Sequence, residues 1–490
     1  MDKGLLDEKG EEERREEVSS VGNGRNMGAG EYVEEVKRLS CIAGPMVAVY
    51  LSQDFLQVIS VVMVGHLGKL SLSSTAVAIS FCAVTGFSLL FGMSTAMETL
   101  CGQLFNQSEK RKIQTLYTDM FSLILVCFPV SLLWINMGKL LILMGQDPLI
   151  STESGKFTVW LVPALFGYAA LQPLVRYFQV QSLITPLLMS SCVTICFHIF
   201  ISWALILEFE LNNIGAALAI GMSFWLNVLL LGLYMMYSSS CEKTRVPVSM
   251  ELFRGLGEFF RLAIPSAFMV CLEWWAFEFL TLLSGLLPNP KLETSVLSVC
   301  LTTITTLFTV SDGFGIAGST RVSNALGAGN PQAARVAVRT AVFLTVLETV
   351  IVSSILYASR HVFGYLFSND KEVVDYVTKM APLICLCVML NGFQAVLSGI
   401  ARACGWQDLG AYVNLVAYYL CGIPVAAILG FWLQLRGQRL WIGIQVGAFV
   451  QSVLLAILTS CQNWEKQAVK ARERIFEGRS SADNEQFSVN

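Results

Sequence analysis

The sequence predicts an all-α polytopic membrane protein with twelve transmembrane helices in two parallel-repeat six-helix lobes. The chain of 490 residues is 54% hydrophobic and only 14% charged, which leaves too little polar surface for a soluble protein of this size. Runs of ~20 apolar residues, the length that crosses a bilayer, recur along it. The chain also repeats itself, because Ala43-Gly44-Pro45 and Ala263-Ile264-Pro265 each begin an apolar run and their prolines lie 220 residues apart.

The twelve predicted helices follow from the apolar runs in chain order. They are placed at 43–65, 74–96, 117–137, 157–177, 187–207, 213–237, 261–287, 295–318, 337–359, 380–401, 411–433 and 441–460. Six is an even number, so both copies enter the membrane from the same side and are parallel repeats. Lysine and arginine prefer cytoplasmic loops, and their distribution here favours a cytosolic N-terminus.

These helices divide the chain into five segments. The segments are a disordered cytosolic N-terminal tail at 1–40, an N-lobe at 41–237, a cytosolic linker at 238–260, a C-lobe at 261–460 and a cytosolic C-terminal tail at 461–490. The first tail is charged and dotted with glycine, which is typical of disorder, and it lacks the apolar core of a cleavable signal peptide.

Charge and composition argue against several classes of function. The net charge of −3, from 33 basic and 36 acidic residues, gives no support to a nucleic-acid partner. The 14 cysteines include no CxxC pair, so we expect reduced thiols that act as small hydrophobes, with no metal or cofactor. His198 stands alone on the fifth predicted helix without a paired nucleophile, which argues against a membrane enzyme, and Glu348 has no detectable partner.

Glu273 is the first candidate functional residue. It lies near the middle of the apolar stretch 261–287, where an ionised carboxylate costs about 2.5–3.5 kcal/mol. Counting eight residues on from the two repeat prolines gives Gln53 in the first copy and Glu273 in the second, so only one copy carries the acid. The functional interpretation is a proton or cation site in a cavity, and the alternative is a buried acid hydrogen-bonded to serine or threonine.

Several neighbours of Glu273 allow two interpretations. Glu278 lies roughly 140° further round the helix, so we predict that it does not share the face of Glu273 and is either a second cavity site or a structural acid. Trp274 and Trp275 offer a cation–π surface or ordinary packing. Glu293 begins the eighth predicted helix, where capping alone explains a carboxylate.

Two further acids lie in predicted helices. Asp312 belongs to Ser311-Asp312-Gly313-Phe314-Gly315, where the glycines permit a locally opened helix. Asp54 directly follows Gln53 on the first predicted helix. Each acid either lines a cavity or is a satisfied structural residue.

Four motifs carry a family resemblance. They are Met97-Glu98-Thr99-Leu100-Cys101-Gly102-Gln103, Leu286-Leu287-Pro288-Asn289-Pro290-Lys291-Leu292-Glu293-Thr294, Thr320-Arg321-Val322-Ser323-Asn324-Ala325-Leu326-Gly327-Ala328-Gly329-Asn330-Pro331 and Gly399-Ile400-Ala401-Arg402-Ala403-Cys404-Gly405-Trp406-Gln407. With them the chain resembles the eukaryotic MATE (multidrug and toxic compound extrusion) transporters, most closely the plant DETOXIFICATION branch, over roughly residues 35 to 465. The resemblance implies two lobes that face a central cleft, and proton-driven export of organic solutes by alternating access.

The resemblance also implies roles for single residues. Glu273 matches the carboxylate of the family's C-terminal lobe. Glu98 and Arg321, at the cytosolic ends of the second and eighth helices, are expected to brace loops or close the cytosolic gate. The chain departs from the pattern at Ser60, where bacterial relatives often carry an aspartate, and at Asn391, where plant relatives usually do. Asp312 lies where many relatives have a Pro-Tyr pair, so the resemblance gives it no role.

The resulting prediction is a proton-coupled antiporter of organic solutes, monomeric and without enzymatic activity, in the plasma or vacuolar membrane. Its partners are an organic small molecule, protons and the lipid bilayer. The alternative is a polyspecific carrier or channel-like facilitator for organic anions such as citrate. The predicted site residues are Glu273, Glu293, Asn391 and Glu278 for coupling, Gln53, Trp274, Trp275, Gln172 and Gln394 for the substrate cleft, and Glu98, Arg321 and Asp312 for the gate or for structure.

Overall fold

The computed structural model describes residues 29–104, 109–239, 241, 256–284, 290–366, 371–432 and 436–474. Within these residues, 12 helices are long and apolar enough to cross a membrane. They are α1 Ala29–Gly65, α2 Leu70–Gln103, α3 Glu109–Ile135, α4 Pro148–Val180, α5 Ile184–Glu208, α6 Asn212–Tyr237, α7 Leu256–Ser284, α8 Pro290–Gly327, α9 Pro331–Phe363, α10 Lys371–Cys404, α11 407–432 and α12 Arg436–Ser460. Each predicted helix overlaps one of them, so the predicted fold class is confirmed.

Several helices extend well beyond their apolar runs. α1 begins at Ala29, so the prediction of a disordered tail is wrong for residues 29–40. The reason is an ion pair that sequence hydropathy does not register: Glu35 of α1 is bound by Arg321 of α8 at 2.7 Å. Residues 1–28 lie outside the described part of the chain.

The C-terminal segment shows the same effect. Residues 464–474 are helical, so the predicted cytosolic tail at 461–490 is in part an ordered helix. Trp464 is buried in the core, and Arg474 donates a hydrogen bond to the Cys404 carbonyl oxygen at 3.2 Å. In the predicted linker 238–260, α7 already begins at Leu256, and residues 240 and 242–255 lie outside the described residues.

The two halves of the chain build corresponding lobes, α1–α6 and α7–α12. Equivalent helices share a local irregularity: α5 ends in a π-helical turn at Ala204–Glu208, and α11 ends in one at Ile428–Trp432. The lobes meet where α1 packs on α8 and α2 packs on α7. Gly92 permits the second contact, because a Cβ at this position would lie 2.7 Å from the Cα of Ala267.

Replacing Gly92 by alanine is therefore expected to destabilise the protein by about 1–3 kcal/mol, the usual cost of over-packing a tight contact. Gly232→Ala in α6 is the control, because a Cβ there meets nothing within 4 Å and alanine is favoured over glycine in a helix by roughly 0.5–1 kcal/mol. Thermal unfolding of both purified variants in detergent measures the difference. A Gly92→Ala protein that melts at or above the wild-type temperature contradicts the tight packing.

Candidate functional site

A cavity of about 300 Å³ lies between the two lobes. Eight aromatic side chains line it: Tyr50, Phe87, Phe91, Tyr168, Phe224, Trp274, Phe277 and Phe308. Four acidic side chains line it as well: Asp54, Glu273, Glu278 and Asp312. Among the described residues of the wall there is no lysine, arginine or histidine, so the lining favours positive charge.

A change of helix type shapes one side of the cavity. α2 contains a π-helical turn at Ala83–Phe87, and Ala83, Val84 and Phe87 all line the cavity. A π turn holds one more residue than an α turn and is frequent at functional sites. The bulge therefore brings the backbone of α2 and the Phe87 ring to the wall.

Glu273 reaches the cavity from α7 and is held by amide groups. Gln394 of α10 donates Nε2 to Oε2 of Glu273 at 2.7 Å, and Gln451 of α12 donates to the same oxygen at 3.4 Å. The partners are thus two glutamines, whereas the sequence alternative was serine or threonine. Within the described residues no ion pair reaches Glu273, so the described contacts of its carboxyl group are hydrogen bonds from amides and not contacts with a cation.

The support behind Glu273 was missed by sequence reasoning. Gln451 donates to Oδ1 of Asn414 on α11 at 2.7 Å, and the Tyr418 hydroxyl donates to Oε1 of Gln451 at 2.8 Å. Asn414 in turn donates to the Met269 carbonyl of α7 at 2.6 Å. The available signal was the presence of amide side chains inside the predicted eleventh and twelfth helices, which cost free energy unless they find partners.

Asn391 lines the cavity from α10 and is almost fully buried. Its Nδ2 lies 3.5 Å from the Cys387 sulfur, and its Oδ1 has no hydrogen-bond partner within the described structure. Gln394, three residues further on α10, contacts Glu273 in its place. Asn391, where the family resemblance leads us to expect an aspartate, is therefore adjacent to the site, but the hydrogen bond to Glu273 is made by Gln394.

Glu278 lines the same cavity as Glu273, which agrees with the first of the two interpretations that the sequence allowed for it, a second cavity site. The helical angle between them is unchanged, but the cavity wraps around α7 and takes in Trp274 and Phe277 as well. Gln53 and Trp274 also line the cavity as predicted, and Trp274 stacks on Phe91 of α2 with ring centroids 5.7 Å apart.

Three predicted cleft residues lie outside the cavity wall. Trp275 is partly exposed and donates Nε1 to the Val84 carbonyl at 2.9 Å, so it braces α7 against α2. Gln172 is fully buried behind Gln53, to which it donates at 3.5 Å. Gln394 lies behind Glu273. The prediction that they line the cleft is wrong, because helix positions alone do not tell which arc faces the partner lobe.

The remaining predicted acids divide between the cavity and the undescribed residues. Asp312 of α8 lines the cavity, and so does Asp54 of α1. Glu293 lies in the first turn of α8, but its side chain is outside the described residues. Its predicted coupling role therefore stays a prediction.

Glu98 joins the two lobes at one end of the bundle. It is 1% exposed, and its Oε1 accepts a hydrogen bond from Arg176 of α4 at 2.7 Å. Its Oε2 accepts bonds from two groups of the C-lobe, Arg402 at 3.1 Å and Ser319 at 2.6 Å. We call the end of the bundle that contains Glu98, Arg176, Arg321 and Arg402 the closed end.

Further contacts between the lobes lie at the closed end. Arg321 of α8 binds both oxygens of Glu35 on α1, at 2.8 and 2.7 Å. Gln103 of α2 donates to the Ala403 carbonyl at 3.1 Å, and Gln407 of α11 donates to the Thr99 hydroxyl at 2.6 Å. Glu98 and Arg321 thus connect the two lobes. From the sequence, either a role in bracing loops or a role in closing the gate was expected for them.

Two residues predicted to be alone have partners. The Nε2 atom of His198 forms hydrogen bonds with the hydroxyl groups of Ser60 at 3.1 Å and Ser202 at 3.2 Å, and its Nδ1 atom forms one with the hydroxyl group of Ser223 at 2.8 Å. Glu348 accepts a hydrogen bond from Ser311 at 2.9 Å. The expectation that His198 and Glu348 stand alone was wrong. Except for Ser202, which is on the same helix as His198, the partners come from other helices, and sequence spacing does not reveal such pairs.

Two lobes of six membrane-spanning helices around an intramembrane cavity define a membrane transporter. A family model described as MatE matches the chain twice, at residues 45–204 and 265–428, with first residues 220 apart as in the repeat. The chain belongs to this family, the MATE transporters.

Known relatives agree. Protein DETOXIFICATION 14 of Arabidopsis thaliana is 59% identical over 447 residues, which is 91% of this chain and 92% of the relative. Protein DETOXIFICATION 12 of the same plant is 56% identical over 448 residues, 91% of this chain and 93% of that one. The crystal structure of the eukaryotic MATE transporter AtDTX14 matches with a TM-score of 0.87 and 58% identity over 91% of this chain and 99% of that one.

A more distant structure shares the fold alone. The crystal structure of MATE in complex with MaL6 has a TM-score of 0.78 at 13% identity, over 90% of this chain and 97% of that one. Such low identity carries no information about substrate or coupling. It shows that the architecture of two lobes tolerates nearly complete replacement of its side chains.

Proposed function

We propose that the protein is a proton-coupled antiporter that exports cationic or amphipathic organic solutes from the cytosol, with protonation of Glu273 as the coupling event. The observation that carries this proposal is the Glu273 carboxylate, which lines the cavity between the lobes with glutamine amides and no basic group as described partners. Protonation of Glu273 removes one negative charge from the cavity wall and so weakens the attraction of the cavity for a positively charged solute.

The driving force is sufficient for a single coupling acid. One proton that crosses ~100–150 mV supplies about 2.3–3.5 kcal/mol, and one to two pH units add about 1.4–2.7 kcal/mol. Together they support a solute gradient of several hundredfold. Coupling therefore does not require a carboxylate at Asn391.

Alternating access requires that the closed end opens. Ion pairs of Glu98 with Arg402 and of Glu35 with Arg321 join the lobes there, and we infer that both break when the carrier turns inward. With both termini in the cytosol, this end is the cytosolic gate. The bound solute is then released to the opposite side, into the vacuole or outside the cell.

The charge of the cavity bears on the alternative function. A facilitator of citrate or another organic anion needs positive groups in its path, because a desolvated anion beside carboxylates is strongly disfavoured. The described wall offers four acidic side chains instead. This favours cations over anions as solutes.

The proposed function is tested by uptake into inside-acidic proteoliposomes that contain the full-length protein. We expect saturable uptake of protonated aromatic amines that collapses when the proton gradient is dissipated, and no gradient-driven uptake of citrate. Loss of the internal pH signal that exceeds the loss in protein-free vesicles, where neutral amine diffuses in and takes up protons, shows that the protein exchanges protons for amine. Citrate uptake without saturation, or amine uptake that ignores the gradient, contradicts the proposal.

A further inference from the structure

We propose that Asp54 and Tyr50 of α1, together with Thr309 and Asp312 of α8, form a subsite that binds the N–H groups of a protonated aromatic amine, separate from the coupling carboxylate Glu273. The subsite rests on the proposed transport of organic cations. In it, Asp54 and Asp312 bind the solute, whereas Glu273 binds the proton.

Helical spacing and lobe packing bring the four side chains to the wall of one cavity. Tyr50 and Asp54 are four residues apart on α1, and Thr309 and Asp312 are three apart on α8, so each pair shares a helix face. All four line the cavity. The Thr309 hydroxyl donates to Oδ2 of Asp54 at 2.7 Å, which joins the two faces across the boundary between the lobes.

The hydroxyl of Tyr50 is available to bind a ligand. Tyr50 is 7% exposed, and its hydroxyl has no hydrogen-bond partner in the described structure. A buried hydroxyl without a partner is unfavourable, and each one calls for an explanation such as a ligand. Because Tyr50 lines the cavity, a solute in the cavity is available to satisfy it.

The charges around the subsite favour a cation. Asp54 and Asp312 come from opposite lobes and face one cavity, so a positive group between them relieves their mutual repulsion. Arg176 lies over the Tyr50 ring, 5.8 Å from its centroid, but its ion pair is with Glu98. Arg402 is likewise paired with Glu98. The described ion pairs of both arginines thus leave the two aspartates to a ligand.

The geometry also selects the shape of the ligand. Trp274 and Phe91 form a stacked pair in the wall, which offers a flat surface to an aromatic ring. Carboxylates and a phenol oxygen accept hydrogen bonds from N–H donors, which a quaternary ammonium lacks. The subsite therefore fits a primary or secondary amine better than a fully methylated one.

The test measures binding of tryptamine and of its N,N,N-trimethyl derivative to the purified full-length protein in detergent, by calorimetry. For the wild type we expect trimethylation to weaken binding about tenfold or more, because hydrogen bonds to charged groups are lost while the charge remains. Asp54→Asn is expected to weaken tryptamine binding about tenfold and to reduce the trimethylation effect to less than about threefold. A merely structural role of Asp54 would weaken both ligands equally.

Two controls separate this contact from general effects. Glu348→Gln removes an acid of a membrane-spanning helix that lies outside the cavity wall and accepts a hydrogen bond from Ser311, and we expect it to leave the trimethylation effect unchanged. Tyr50→Phe removes a single hydroxyl, and we expect several-fold weaker binding of tryptamine with little change for the trimethyl derivative. If the Asp54→Asn protein does not fold, Tyr50→Phe alone tests whether the subsite binds the ammonium group.

The subsite and the coupling proposal fail in different ways. Unchanged tryptamine affinity in both Asp54→Asn and Tyr50→Phe, or no saturable binding of tryptamine by the wild type, overturns the subsite. Loss of tryptamine binding in Asp54→Asn together with gradient-driven uptake by Glu273→Gln supports the subsite and refutes the coupling role of Glu273.

Discussion

Replacing Glu273 by glutamine is expected to abolish proton-driven uptake of amines into inside-acidic vesicles, with a fall in rate of at least about a hundredfold. Glutamine keeps the size and polarity of the side chain, so Gln394 and Gln451 retain a hydrogen-bond acceptor at the same place. It cannot take up or release a proton, so the gradient no longer acts on the site. Binding of amines without a gradient should persist at reduced affinity, because Asp54, Glu278 and Asp312 still line the cavity.

Glu348→Gln is the matched control for this prediction. Glu348 is also an acid within a membrane-spanning helix, but it lies outside the cavity wall and is bound by Ser311. We expect amine uptake by the Glu348→Gln variant to follow the imposed pH gradient as it does in the wild type. Rates are compared at equal protein density in the vesicles, over a series of imposed pH differences. Undiminished gradient-driven uptake by Glu273→Gln would refute the coupling role.

Replacing Glu98 by glutamine is expected to destabilise the protein by about 3–5 kcal/mol, the cost of breaking a buried ion pair and leaving its partners uncompensated. Arg176 is 0% exposed and Arg402 is 7% exposed, so neither guanidinium reaches bulk water easily. Thermal unfolding in detergent should show a large drop in melting temperature. Transport should fall as well, because the closed end loses a carboxylate that binds groups from both lobes.

The control for this variant is Glu34→Gln. Glu34 forms an ion pair with Arg38 on the exposed surface of α1, and such pairs contribute about 0–1 kcal/mol. Its melting temperature should stay close to that of the wild type. Equal melting temperatures for the Glu98 and Glu34 variants would show that the buried cluster does not stabilise the closed end.

The fold was predictable because membrane helices are marked by long apolar runs, and the same contrast exposed Glu273 as an isolated charge. What lies around Glu273 was not predictable in this way. Its partner Gln451 is 178 residues away, and the contact depends on how α7 packs against α12. The ends of α1 were misjudged for a related reason, since the pairing of Glu35 with Arg321 joins residues 286 apart.

The helix faces that line the cavity were the hardest part to predict. Trp275 directly follows Trp274, yet it contacts the α2 backbone and not the cavity. Period and hydropathy identify a helix, but in a membrane both its lipid-facing and its protein-facing sides are apolar. Only the packing of the lobes decides which residue of such a pair meets the solute.

The opening of the closed end that we propose would divide the contacts of Glu98 unequally between the two lobes. Arg176 belongs to the same lobe as Glu98 and keeps its contact at 2.7 Å, whereas Arg402 and Ser319 depart with the other lobe. The carboxylate therefore never becomes an isolated charge in the membrane. Of the two arginines around Glu98, the one that loses this carboxylate is Arg402, which lies in the last turn of α10. Glu98 thus moves together with its own counterion, whereas Glu35 and Arg321 belong to different lobes and lose each other.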